Sequence, residues 1–415
     1  MIRPQRWILP LGLAVVVWST TAWAQIQRTT PGQFPGTGGT AQGQSTGPLR
    51  APMTLTPSIG FLEEYNDNIF FDNANKQWDF ITSIVPGVAF AIENPEYHLL
   101  AAYNFTARLY ARRPDRDTAF DRQDFRLDGL YRFNPQFGVS LEDNLRFTTG
   151  LNVLSAEGVA TGFDKSLSNT LRPGATLELD PLTSVRSFAS WTLQRYQRDG
   201  LRDSDVYRIE ADIERRLSTR LRGTLGYEFA YFAIEQVPNV TSHTPRIGLT
   251  YELTQTLSAS VVGGPTFWHI EDDGNHITPQ ATGRLTQRFD FGSVAVGYDR
   301  RINTAGALGV VADSQTIFTN VTLIKLAKGL SVEVSPYYRI LKSPDNSVDI
   351  RAYGVPVQAT WQFTPWFGVT AGYIFFHQRS DSTVVNTVTG APLATDVDQN
   401  RVYFGFLFGY PIKFD

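Results

Sequence analysis

The run YRIEADIERR, residues 207–216, decides the fold. Arg208, Glu210, Asp212, Glu214 and Arg216 take every second position, and Tyr207, Ile209, Ala211 and Ile213 take the positions between. A period of two places these sets on opposite faces of a strand, one charged and one apolar. Buried in a sandwich core, the charged face would hold several unsolvated ions at a cost of many kcal/mol. Turned to a water-filled lumen, the same side chains stay solvated and paired.

The pattern repeats from Thr54 onward. Leu221, Gly223, Leu225, Tyr227, Phe229 and Tyr231 alternate with Arg222, Thr224, Gly226 and Glu228. Tyr353, Val355, Val357, Ala359, Trp361 and Phe363 alternate with Ala352, Gly354, Pro356, Gln358 and Thr360, and Phe367 to Phe375 behaves likewise. A soluble sandwich also alternates, so length and rhythm must separate the two. These segments run well beyond the soluble mode of about 5 to 6 residues and meet the roughly 9 to 11 that a tilted transmembrane strand needs.

Connections alternate too. Tight turns fall at Glu93-Asn94-Pro95-Glu96, Asn134-Pro135-Gln136, Asp180-Pro181-Leu182-Thr183, Ser218-Thr219, Thr254-Gln255-Thr256, Asp290, Ala327-Lys328-Gly329 and Thr364-Pro365-Trp366. Generally longer polar loops separate them, at 66–77, 112–120, 149–163, 197–203, 236–240, 271–274, 303–312, 343–347 and 380–396. Short turns on one side and long loops on the other belong to outer-membrane barrels. The pattern predicts an all-β, transmembrane, antiparallel up-and-down β-barrel of about eighteen strands, or sixteen if one hairpin is misread, with both termini in the periplasm. Strands are placed near 54–65, 78–92, 97–111, 121–133, 137–148, 164–179, 184–196, 204–217, 220–235, 241–253, 257–270, 275–288, 291–302, 313–326, 330–342, 348–363, 367–379 and 397–410. Prolines 86, 173, 279, 336 and 356 fall within them and predict local bulges or bends, because each removes a ladder donor. Asp143 falls on the lipid face, where charge is penalised, which predicts a bulge or a register slip beside it.

Residues 1–24 read as a cleaved signal peptide: Arg3 and Arg6, a short apolar core from Ile8 to Trp18, and Ala22-Trp23-Ala24 before Gln25. Residues 25–52 are rich in Gly, Pro, Thr, Gln and Ser and are expected to form a flexible periplasmic arm. The barrel occupies 53–415. Composition agrees. The 415 residues carry a net charge of -3, which gives no global field for nucleic acid, and the absence of cysteine excludes disulfides and thiolate metal sites. Mean hydropathy is -0.19, and no run of about 20 apolar residues follows the leader, so helical spans are excluded. Thirty-one of the 37 basic residues are Arg, suited by its forked donors to ion-pair networks in a partly dry interior. The last strand puts Phe404, Phe406, Phe408 and Tyr410 on one face, a pattern expected to engage the barrel-insertion machinery; Asp415 departs from the usual closing aromatic.

The first hairpin adds a likeness. Glu64-Tyr65-Asn66-Asp67-Asn68-Ile69-Phe70, then Asp79-Phe80-Ile81 and Val85-Pro86-Gly87-Val88, resembles the start of an outer-membrane β-barrel porin family, the beta-barrel porin 2 type. Trp78 stands where that family has Ser. The resemblance runs from about residue 54 to the terminus, with its specific motif confined to the first hairpin. It implies an outer-membrane channel often linked with exopolysaccharide or capsule export. It transfers no catalytic residue.

Candidate chemistry is sparse. The Asp and Asn cluster of 64–78 lacks the spacing of a calcium loop and reads as turn chemistry. His98, His243, His269, His276 and His377 are scattered. His269 and His276 flank Glu271, Asp272 and Asp273 at the outer rim, as water-facing polar residues or, alternatively, a divalent-ion site. Ser242 beside His243 is the best start for a hydrolytic group. The useful constellation is the inward charge. The register turns Arg108, Arg126, Asp128, Arg132, Glu142, Arg146, Arg172 and Glu178 to the lumen in the first third of the barrel. Further on it turns Arg208, Glu210, Asp212, Glu214, Arg216, Arg222, Glu228, Arg246 and Glu252, then Arg284, Arg288, Glu333 and Arg339. These serve as pairing partners that keep the barrel round, as a mixed-sign surface for hydrated solutes, or as both. The expectation is a passive outer-membrane channel for hydrophilic solutes or saccharides, without cofactor or catalysis and with weak ion selectivity. A barrel-borne enzyme with a rim site and a plugged structural or adhesive barrel are the alternatives.

Overall fold

A computed structural model describes residues 53–149, 160, 165–197, 200–271, 273–305, 308–384 and 395–414. The leader at 1–24, the arm at 25–52 and most of the connections at 149–163 and 380–396 lie outside the described residues. Long antiparallel strands account for nearly all the rest. The first half contains β1 (Met53–Asn66), β2 (Asp79–Glu93), β3 (Tyr97–Tyr110), β4 (Thr118–Arg132), β5 (Phe137–Thr148), β6 (Ser166–Asp180), β7 (Thr183–Tyr196), β8 (Ser204–Arg216), β9 (Leu221–Ile234) and β10 (Val240–Glu252). The second half contains β11 (Leu257–Ile270), β12 (Gly274–Phe289), β13 (Gly292–Thr304), β14 (Val311–Ile324), β15 (Leu330–Val334), β16 (Tyr337–Lys342), β17 (Asp349–Thr364), β18 (Phe367–Ser380), β19 (Val397–Gly409) and β20 (Ile412–Phe414).

Each strand pairs with the next, except β15 with β16 and β19 with β20, and β1 closes the ring on β19 and β20. β15 and β16 share one stave of the wall and β19 and β20 another, so the barrel has eighteen staves. Both interruptions have a cause in the sequence. Pro336 cannot donate to the ladder; its carbonyl accepts from the Thr319 amide, while the preceding Ser335 amide turns to the Pro356 carbonyl. Pro411 breaks the last stave in the same way. Other prolines leave gaps in the pairing, between β2 and β3 beside Pro86 and between β6 and β7 beside Pro173.

Asp143 corrects one expectation. It does face outward, yet the register runs unbroken past it, Leu127↔Asp143↔Leu171. No slip is needed, because Asn169 on the same outer face donates to Asp143 Oδ1 at 2.7 Å.

The exterior is an apolar belt. Ile209, Leu225, Ile247, Val261, Ile277 and Ile317 are exposed on it. Aromatic rings border both edges: Trp78, Phe80, Tyr207, Tyr227 and Phe267 towards the long loops, and Tyr131, Phe133, Phe289, Phe291, Phe363 and Trp366 towards the tight turns. Large apolar side chains left outside a closed wall are the arrangement of a lipid-facing barrel.

Candidate functional site: the barrel interior

Two contacts that only the interior permits identify the inner face. Arg208 on β8 donates from Nη2 across the lumen to the Ile302 carbonyl and to Asn303 Oδ1 on β13, at 3.0 and 3.1 Å. Gln378 on β18 exchanges two hydrogen bonds with the backbone of Ala160, which belongs to the connection between β5 and β6, at 2.8 and 2.9 Å. Alternation from these anchors places the charged set named from the sequence on the inner face.

The tightest group lies on β8, β9 and β10. Arg246 donates to Asp212 from Nε and Nη2 at 3.0 and 2.9 Å, to Glu210 at 3.0 Å and to Glu228 at 3.1 Å. Arg208 adds a second cation to Glu228 at 2.9 Å, and Gln280 from β12 a third donor at 3.4 Å. The register explains the need for two arginines. Glu210 sits directly opposite Glu228, a like-charge pair that would repel. Asp212 and Arg246 are both partners of Gly226 on the intervening strand. A β-carbon at 226 would stand 3.0 Å from Arg246 Nε, so the fork reaches over the strand only because this position is glycine.

Towards the tight turns the charges are wetter. Glu214 pairs with Arg186 at 3.0 Å and with Arg222 at 3.7 Å, and Arg222 reaches Glu252 at 3.4 Å. Arg222 and Glu252 keep 42% and 49% of their side chains exposed although both face inward. Across the lumen, Arg126 pairs with Asp128 at 3.1 Å. Arg172 pairs with Glu142 at 3.6 Å, its guanidinium 4.0 Å from the centre of the Phe188 ring. Arg146 shares Asp124 with Arg122, and Arg108 meets Asp121 at 3.2 Å. Arg339 donates to Thr316 at 3.1 Å. Arg284 lies on the inner face of β12. Arg132, Glu178, Arg216, Arg288 and Glu333 form no ion pair among the described residues.

The sequence reading missed the seam. Glu64 on β1 and Arg401 on β19 form a buried two-point pair at 3.0 and 2.8 Å. Parity from Leu62 would have turned Glu64 inward, but its partner lies at the other end of the chain, where no local pattern reaches. Just above it, Asp67 takes both the backbone and side-chain N–H of Asn400 at 2.7 Å, and Asp72 accepts from the Ala74 and Asn75 amides. The polar cluster of 64–78 therefore ties a loop down.

Near the long loops the interior is packed rather than wet. The β13–β14 hairpin leaves the wall and turns inward. Ile302 and Val311 pack on Val206, Phe232, Val240 and Trp268 of the wall from β8 to β11. Ala305, Leu308 and Ala312 pack on Leu341 and Ile350 of β16 and β17. A third apolar group joins Ala160, Phe71, Ala352, Phe376 and Val397.

The remaining candidates separate. Ser242 is buried on the inner face, whereas His243 is exposed outside, beside the Tyr227 hydroxyl; the wall between them precludes a shared nucleophilic site. His269 meets Asn275 and His276 meets Asp273. Among the described residues no group of three His, Asp or Glu is set to hold a metal ion.

No family model matches the chain, and no curated protein matches it. Among solved structures it is similar to Acinetobacter baumannii OccAB4, at 10% identity over 86% of this chain and 98% of that one, with a TM-score of 0.44. Pseudomonas aeruginosa OpdO matches at 12% identity over 88% and 98%, with a TM-score of 0.44. Pseudomonas aeruginosa OccK8 (OprE) matches at 9% over 87% and 98%, with a TM-score of 0.45.

Proposed function

We propose that the chain is an outer-membrane, porin-like channel for the passive passage of hydrophilic solutes. One observation carries this: a closed wall with its large apolar side chains outside and its ionised ones inside, water-accessible towards the tight turns at Arg222, Glu252 and Glu333. About eighteen staves leave more interior than side chains fill. Both signs line that interior, so ion selectivity is weak, and the same donors and acceptors suit sugar hydroxyls. Nothing in this transport calls for a cofactor, and the separation of Ser242 from His243 favours a channel over an enzyme. The signal peptide at 1–24 supplies export, and the aromatic face of β19 the contact with the insertion machinery. A tie to exopolysaccharide export rests only on the resemblance of the first hairpin to the beta-barrel porin 2 type.

The packed loop-side interior favours a second reading, a structural barrel with a blocked lumen. Planar-bilayer recording of the purified protein separates the two. Discrete openings with a reversal potential near zero in a salt gradient support the channel. Strong selectivity contradicts the mixed-sign lining. Silence at all voltages from correctly inserted protein overturns the channel.

A further inference from the structure

The inturned hairpin leaves a break in the wall. The ladder joining β12 to β13 runs from Phe289↔Gly292 only as far as Ala281↔Arg300. Beyond it, β12 continues through residues 274–280 paired to β11 alone, and β13 through residues 301–304 paired to β14 alone. Among the described residues no backbone hydrogen bond bridges the two edges. The result is a notch roughly 20 Å long at about 3.3 Å per residue, open at the loop rim.

Sequence favours the opening there. Pro265 and Pro279 face each other in the β11–β12 ladder. Two residues without N–H fit opposite one another only as a non-hydrogen-bonded pair, so the donor missing at Pro279 is the one that would point to β13. The notch reaches the apolar belt: Ile277, 68% exposed, stands on its outer lip beside Phe267. On its inner side Trp268, Ile302 and Val311 form an apolar group, beside the polar His276, Thr278 and Gln280 that β12 turns inward. Within that lining Trp268 is 3% exposed, and its Nε1 makes no hydrogen bond among the described residues. A buried donor left in this state is destabilising and calls for an acceptor.

We propose that the notch between β12 and β13 is a lateral portal through which a single-chain amphiphile enters from the membrane. Its acyl chain lies against Ile302 and Val311, and an acceptor in its head group takes the Trp268 N–H. This activity stands apart from solute passage along the lumen axis.

The test uses the full chain in phospholipid vesicles with a stearate carrying a photoreactive diazirine on its tail. Adducts mapped by mass spectrometry are expected on the interior residues Ile302 and Val311 as well as on belt residues such as Ile247. Adducts confined to the belt overturn the portal. Extending the β12–β13 register places Thr278 opposite Asn303, and in a chain without cysteine the pair Thr278→Cys/Asn303→Cys supplies the only thiols. Oxidising it is expected to abolish the interior adducts and leave the belt adducts unchanged; interior labelling that survives oxidation means entry by another route and overturns the portal. Trp268→Phe keeps the ring in place and removes the donor. It should lower interior labelling by the stearate about fivefold, the worth of one hydrogen bond, and leave labelling by a photoreactive alkane unchanged. An equal drop for both probes overturns the assignment of the head group.

Discussion

The loop-side and turn-side halves of the same interior are built on opposite terms. Near the loops, Arg208, Arg246 and Glu228 are largely buried and matched donor to acceptor, and the Arg208 guanidinium lies over Phe232 and donates to the Ile302 carbonyl. Near the turns, Arg222, Glu252 and Glu333 face the same lumen but keep much of their surface in water. Both regions alternate charge along the strand in the same way, and what differs is solvent. A charge kept from water must be answered by a fixed partner, whereas one in water is answered by the solvent. The loop half is therefore a folded core held inside a membrane wall, and the turn half a vestibule.

The contrast breaks most visibly at Arg246. Arg246→Ala strands Glu210, Asp212 and Glu228 together and should cost about 3–5 kcal/mol, read from urea unfolding of the inserted barrel; a loss under 1 kcal/mol would erase the distinction between the halves. Arg208→Ala releases the Ile302 and Asn303 contacts that hold the hairpin inward. It should cost about 3 kcal/mol and raise single-channel conductance, and unchanged conductance would place the narrowest point elsewhere. On the outer wall, Asn169→Leu leaves Asp143 facing lipid without its donor, at about 1–3 kcal/mol. The double change Asp143→Leu/Asn169→Leu should restore wild-type stability or exceed it. In the vestibule, Arg222→Ala should cost no more than about 1 kcal/mol, an effect that fades in high salt. Smallest is the pH response of the exposed turn after β6. The Leu182 amide donates to Asp180 Oδ1 at 2.7 Å and, with the Thr183 hydroxyl, holds that carboxyl below its ordinary range. The stabilisation is fully present above the unfolded pKa and is lost as pH falls through the depressed one, so Asp180→Asn should flatten the acid limb of unfolding; an unchanged limb would remove Asp180 from the account.

The staves were legible because a barrel wall one residue thick writes its two solvents directly into alternate positions. That is why Arg208 to Arg216, Leu221 to Tyr231 and Phe404 to Phe408 could be oriented by parity. The interior core was not legible, for the same reason. Ile302 shares parity with the outward Val296 and Tyr298, and Val311 with the outward Ile317, yet Ile302 is only 3% exposed. Parity assigns a face only while a strand stays in the wall, and β13 parts from β12 beyond Arg300 while β14 parts from β16 only beyond Asp313. Asp143 was misjudged from the opposite side. One charge in an apolar face looked like a register error, when its answer, Asn169, lay on a neighbouring strand at a separation no strand-by-strand pattern tests.

The seam between β1 and β19 governs how the molecule must be made. Met53 pairs with Phe414 and Asn66 with Arg401, contacts that span almost the whole described chain. Until the final strand arrives, β1 and β18 both present bare edges able to recruit a neighbouring polypeptide. Contacts at such distance form late, after the ordering entropy of everything between them has been spent. The ring therefore has no stable partial form, and loss of residues 397–414 would leave a sheet with two sticky margins rather than a smaller barrel.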